Sequence, residues 1–229
     1  MQANVQNPQQ SHSLYVALMA HATGLPNRHA ASSIPKHESA CASRFPHPNP
    51  PPEGEGTNES LREFHVNDEL FAQMIASQMA GAGALPPGLG LSNAEFSALL
   101  SRHYPGIKLA MNVEAVIADP RAPERDDVLA LLLESRAGND PSERWMAGIV
   151  TAACMDHDHL WQDLGLWSRE YLSRLMTENF PELAAKNVHD MKWKKFLYKQ
   201  LCEREGINAC RAPSCEYCAD YLKCFGPEE

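Results

Sequence analysis

The chain has 229 residues, 44% of them hydrophobic, with a formal charge of −9 at pH 7. That length buries one sizeable core, and a second full domain is not expected. The acidic balance excludes a nucleic-acid binder, which needs a basic face against phosphates, and no apolar run approaches the ~20 residues of a membrane span.

Residues 1–11 are Gln- and Asn-rich and read as a disordered amino terminus. The apolar stretch Leu14–Ala20 is short and follows no basic region, so it is not expected to act as a secretory signal. Residues 12–27 are expected to give the first helix, and the chain is expected to be cytoplasmic. Residues 28–62 are rich in Pro, His, Ser and Asn, including the run from Pro46 to Pro52. They lack the apolar residues that offset the entropy of ordering and read as a disordered insertion. His29, His37, His47 and Cys41 there could hold a metal loosely, but composition favours a solvated segment.

From residue 63 to 206 the periodicity is helical, giving a main helical domain. Leu70, Phe71, Met74, Ile75 and Met79 recur at spacings of three and four. Asn67 or Asp68 is expected to cap that helix, and Gly81-Ala82-Gly83 to end it. Ser92 followed by Glu95 is a capping-box signature opening the next helix. Asp126 and Asp127 suit the start of a helix carrying Val128 to Leu133. Pro141 and Ser142 start another, through Trp145, Ile149, Val150 and Ala153. Ser168 is expected to cap a helix with Tyr171, Leu172 and Leu175 inside, stopped near Pro181. The last helix, about Asp190 to Arg204, buries Trp193, Phe196, Leu197 and Leu201 and ends at Gly206. No period-two strand or Asn-Gly hairpin signal appears. The fold is expected to be all-α, a single helical domain with a cysteine-rich tail over residues 207–229.

That tail holds the strongest chemical signal. Cys210, Cys215, Cys218 and Cys224 are spaced C-x4-C-x2-C-x5-C. Thiolates this close in sequence can converge on one small volume, as two disulfides or one metal site, and in a reducing compartment such a cluster more often binds metal. Structural zinc sites usually show two short knuckles, and only one C-x2-C is present here. The C-x4-C-x2-C opening matches plant-type iron–sulfur ligation, and Tyr217, Tyr221 and Phe225 between the cysteines could shield a cluster from water. Spacing favours an iron–sulfur cluster and leaves a structural zinc ion, in an adaptor or interaction protein, as the alternative.

Two further groups are candidates. Cys154, His157 and His159, with Asp156, Asp158 and Asp163, offer metal ligands where the helix from Pro141 runs out. The plainer reading is a buried small residue followed by helix-end histidines. Lys192, Lys194, Lys195, Lys199 and Arg204 form a basic stretch that could favour an anionic cluster or dock an acidic partner, or merely clothe a solvated face. Cys202, on the same helix, is expected to face the core. No G-x-S-x-G, phosphate-loop or H-E-x-x-H motif is present, so no enzyme is expected.

The tail CRAPSCEYCADYLKCFG, the preceding MKWKKFLYKQLCE and the HLWQDLGLWSREYLS from His159 resemble the NifQ family of nitrogen-fixation, molybdenum-handling proteins. So do GLPN at Gly24–Asn27 and AGAGALPPGLGLSNAEFSALLSRHYPG at Ala80–Gly106. The likeness covers most of the chain except about Arg28 to Arg62. It implies an iron–sulfur protein whose tail cysteines carry a molybdenum–three-iron–four-sulfur cluster, with an iron-only precursor. It also implies donation of molybdenum, taken from molybdate or another source, to assembly of the nitrogenase iron–molybdenum cofactor. The implied recipients are the scaffold NifEN with the iron protein NifH. His159 and the Leu160-Trp161 after it fall within the resemblance.

Overall fold

The computed structural model describes residues 8–23, 63–109 and 122–204. Every regular element among them is helical: α1 (Pro8–Thr23), α2 (Asp68–Met79), α3 (Asn93–His103), α4 (Ala122–Glu134), α5 (Pro141–Cys154), α6 (Leu160–Asp163), α7 (Arg169–Asn179), α8 (Pro181–Lys186) and α9 (Trp193–Arg204). A 3-10 turn over Pro87–Gly90 lies between α2 and α3. The all-α expectation holds for these residues, and among them no helix is long and apolar enough to cross a membrane. The Pro/His-rich segment 28–62 and the cysteine tail 207–229 lie outside the described residues.

Apolar periodicity decides what each helix buries. Leu70, Phe71, Met74 and Ile75 of α2 are fully buried and meet Leu18 of α1, Leu99 of α3 and Met146, Ile149 and Val150 of α5 in one core. α4 adds Val128 and Leu132, α7 adds Leu172, Leu175 and Met176, and α9 adds Trp193, Phe196 and Leu197. α2 lies against α1, α5 lies against α4 and α6, and α9 lies against α4. Met79 departs from its expected face: it is in the last turn of α2 and 47% exposed.

Helix starts follow local chemistry where that chemistry is not claimed elsewhere. Ser92 and Glu95 form the expected capping box, with Ser92 Oγ accepting from Glu95 N–H and Glu95 Oε2 accepting from Ser92 N–H. Asp140 Oδ1 accepts from Ser142 N–H and caps α5, whose first residue is Pro141. Three expectations are corrected. α1 begins at Pro8, inside the stretch expected to be disordered. Asp126 and Asp127 fall within α4, whose first turn carries Glu124 instead. Asn67 and Ser168 stand at cap positions without capping through their side chains. Asn67 exchanges side-chain amide hydrogen bonds with Asn179 of α7, at 2.7 and 2.9 Å. Pro181 does stop α7, and it opens α8.

Candidate functional site

The four tail cysteines Cys210, Cys215, Cys218 and Cys224 lie outside the described residues, so their site is built up from the helix that leads to them. α9 ends at Arg204, six residues before Cys210. Its root is fixed at Lys194, which is buried and whose ammonium is ion-paired with the buried Asp163 carboxylate of α6. Lys194 Nζ also donates to the Asp156 carbonyl at 2.9 Å. Burial pushes the Asp163 carboxyl up from the usual carboxylate range, and the Lys194 ammonium beside it opposes that shift.

This geometry corrects the basic-stretch reading for one residue. Lys194 faces the core rather than solvent, so it cannot present its charge to a partner. Lys199 is exposed and paired with Glu203 one turn on, at 3.6 Å. Lys192 and Lys195 are half-buried, and Arg204 reaches Glu134 of α4 at 3.1 Å. Cys202 is half-buried rather than in the core.

The segment joining α5 to α6 carries the other candidates. Cys154 closes α5 with its side chain fully buried, and that burial pushes the thiol up to about 12. The thiolate that metal binding needs is therefore suppressed at neutral pH. His157 is exposed, its N–H donating to Asp156 Oδ1 at 2.8 Å. His159 is half-buried ahead of α6, its N–H donating to Gln162 Oε1 at 3.3 Å. Cys154, His157 and His159 do not converge as one three-ligand site among the described residues. Cys154 belongs to the core, as the plainer reading has it.

Gly83 holds this region against α2. At φ +79°, a Cβ on it would stand 3.0 Å from the Asp163 carbonyl and from Gly165 N. The chain passes close enough there for Ala84 N–H to bond the Asp163 carbonyl at 2.9 Å.

A second constellation was not read from the sequence. His103, the last residue of α3, is fully buried. Its Nδ1 is 2.6 Å from Asp68 Oδ1 and its Nε2 is 2.8 Å from Ser142 Oγ. Tyr104 Oη donates to the Asp68 carbonyl at 2.5 Å. His65 stands over the His103 ring edge-on, with centroids 5.0 Å apart. One donor atom each from His65, Asp68 and His103 lies within 4.8 Å of the others. The only local signals were a histidine at a helix end and a carboxylate at a helix start, both commonplace.

These features describe a helical protein whose last helix, rooted by a buried ion pair, leads in sequence to a cysteine-rich tail. The family model described as NifQ matches residues 70–226, which include all four tail cysteines. Protein NifQ of Azotobacter vinelandii is 42% identical over 186 residues, covering 75% of this chain and 94% of the relative. Protein NifQ of Rhodobacter capsulatus is 38% identical over 160 residues, 69% of this chain and 87% of the relative. Protein NifQ of Klebsiella pneumoniae is 36% identical over 158 residues, 64% of this chain and 90% of the relative. The chain belongs to the NifQ family, and its role lies in nitrogen fixation. No solved structure matches it significantly.

Proposed function

We propose that this protein is a molybdenum carrier: its four tail cysteines hold an iron–sulfur core that takes up molybdenum and passes it to assembly of the nitrogenase iron–molybdenum cofactor. The observation that carries the reading is the four-thiolate tail, C-x4-C-x2-C-x5-C, lying wholly within the residues that match the family. Thiolates are soft ligands suited to iron, and the core supplies bridging sulfides for molybdenum. Delivery is ligand exchange on docking. The recipient would bring thiolate or imidazole to the molybdenum as its bonds to the core sulfides and to any ligand from this chain break. No turnover is involved, which fits the lack of any catalytic motif.

The chain's own residues contribute placement. Lys194 to Arg204 is ten residues, about 15 Å of helix. The six residues from 205 to 210 extend over about 20 Å at most. Cys210 is therefore within reach of the segment beside Lys194, where His157 and His159 stand. His159, half-buried just ahead of α6 where His157 is exposed, is the one of the two we assign as a molybdenum-side ligand. Lys192, Lys195 and Lys199 remain the docking cations for an acidic surface on NifEN or NifH.

The experiment is a set of single Cys→Ser variants at the four tail positions, with His159→Ala, purified without oxygen and assayed for iron and molybdenum. The reading expects each Cys→Ser variant to lose iron, and His159→Ala to keep iron but lose molybdenum. Full iron in every cysteine variant would overturn it.

A further inference from the structure

We propose that His65, Asp68 and His103 form a second metal site, for a divalent first-row transition ion such as zinc or ferrous iron, with no cysteine among its ligands. Two imidazoles and one carboxylate, with further positions open to water, are a donor set that both ions accept. All three donor atoms already lie within 4.8 Å of one another. Two of the three residues precede the family-matched span of 70–226, so the site is read from this chain alone.

The outward nitrogens of both rings have acceptors waiting. His103 Nε2 is 2.8 Å from Ser142 Oγ, and His65 Nε2 is 3.7 Å from Asp140 Oδ2. Both rings turn their Nδ1 atoms toward the stretch from His65 to Asp68: His103 Nδ1 meets Asp68 Oδ1, and His65 Nδ1 accepts from Asn67 N–H at 3.1 Å. Metal-bound histidines typically donate their other ring N–H to a carboxylate, carbonyl or water, which fixes tautomer and orientation. Ser142 stands ready to serve His103 in this way, and the Asp140 carboxylate lies 3.7 Å from His65 Nε2, an ion-pair distance that a small shift would close to a hydrogen bond.

Loading needs small, balanced changes. In the metal-free protein His103 donates from Nδ1 to Asp68 and accepts from the Ser142 hydroxyl. When the ion binds Nδ1, the ring proton moves to Nε2 and the hydroxyl turns to accept it. Asp68 Oδ1 and His103 Nδ1 must part from 2.6 Å to about 3.0–3.4 Å, the separation of neighbouring ligands each about 2.1 Å from a metal. The hydrogen bond from Asn67 to His65 is given up. His65 is the way in: it lines a surface cavity of about 410 Å³ with Glu63, Phe64, Val66 and Arg102.

Cobalt(II) titration of the full-length protein without oxygen, followed by absorption, tests the site. Cobalt on imidazole and carboxylate gives weak ligand-field bands, whereas cobalt on the tail thiolates adds intense charge-transfer absorption. The wild type should take up one cobalt of the first kind. His65→Ala, which leaves the Asp68–His103–Ser142 hydrogen bonds in place, should bind it at least about tenfold more weakly while its thiolate signal is unchanged. Asp140→Asn, which keeps a side-chain oxygen to cap α5 but removes the carboxylate charge shared by Arg102 and His65, should weaken it about tenfold. Circular dichroism establishes that both variants are folded. Equal uptake by wild type and both variants, or no thiolate-free cobalt in the wild type, would overturn the proposal.

Discussion

Lys194 of α9 and Asp163 of α6 form a buried ion pair that ties the root of the tail-bearing helix to the loop after α5. Breaking such a pair from one side leaves a charge stranded in the core. Lys194→Met or Asp163→Leu alone is expected to cost about 3–5 kcal/mol. The double substitution should cost clearly less than the sum, because neither charge is then left behind. Urea melts of the three variants check this; strict additivity would show that the two groups are not coupled.

His103 joins three helices that are far apart in sequence. Its partners Asp68 and Ser142 are 35 and 39 residues away and stand in the first turns of α2 and α5. His103→Leu removes both bonds at nearly constant packing volume, at about 1–3 kcal/mol for each buried partner. The expected outcome is a lower denaturant midpoint with an unchanged slope.

Much of the helical frame could be read locally. The Ser92–Glu95 box and the Asp140–Ser142 cap involve groups two and three residues apart, so the sequence window that predicts them contains them. What escaped was long-range. Lys194 stands in a basic run that reads as a solvated face, and only the folded chain brings it to a carboxylate 31 residues earlier. Asn67 had the right type and place to cap α2, yet its amide is taken by Asn179, 112 residues on. For the same reason the buried histidine and its partners were invisible, while the four tail cysteines stand out from their spacing alone.

Gly83→Ala tests the close passage between the α2 end and the Asp163–Gly165 backbone. The new methyl meets backbone atoms at 3.0 Å, and φ +79° is unfavourable for a side chain. A loss of at least about 1–2 kcal/mol is expected from the backbone conformation alone. A melting temperature equal to wild type would contradict the described approach.

Acid should weaken the fold through Glu95 and Asp140. The Ser92 hydroxyl bonded to Glu95 holds its carboxyl below the usual range. At Asp140 burial pushes upward, but the Ser142 hydrogen bonds and the charges of Arg102 and His65 outweigh it, and the carboxyl is again lowered. Folded values below unfolded ones mean stabilisation that is fully present above the ordinary carboxylate range, about pH 4. It drains as the pH falls below that, through the folded values. Ser92→Ala should flatten part of that acid dependence in melts across the range; an unchanged profile would remove the capping box as its source.

The Cys154 thiol should resist alkylation in the native protein. With the side chain fully buried and the thiol raised to about 12, almost no thiolate forms at pH 7. Peptide mapping after brief iodoacetamide treatment should show Cys154 modified only once denaturant is added, and prompt modification of the native protein would contradict its place in the core.

The most direct measurement for the carrier account is the visible spectrum and metal content of protein purified without oxygen from cells supplied with iron and molybdate. The account predicts brown protein with several irons and substoichiometric molybdenum per chain. A colourless protein holding zinc on the tail cysteines, with neither iron nor molybdenum, would contradict it and make the tail a structural zinc module.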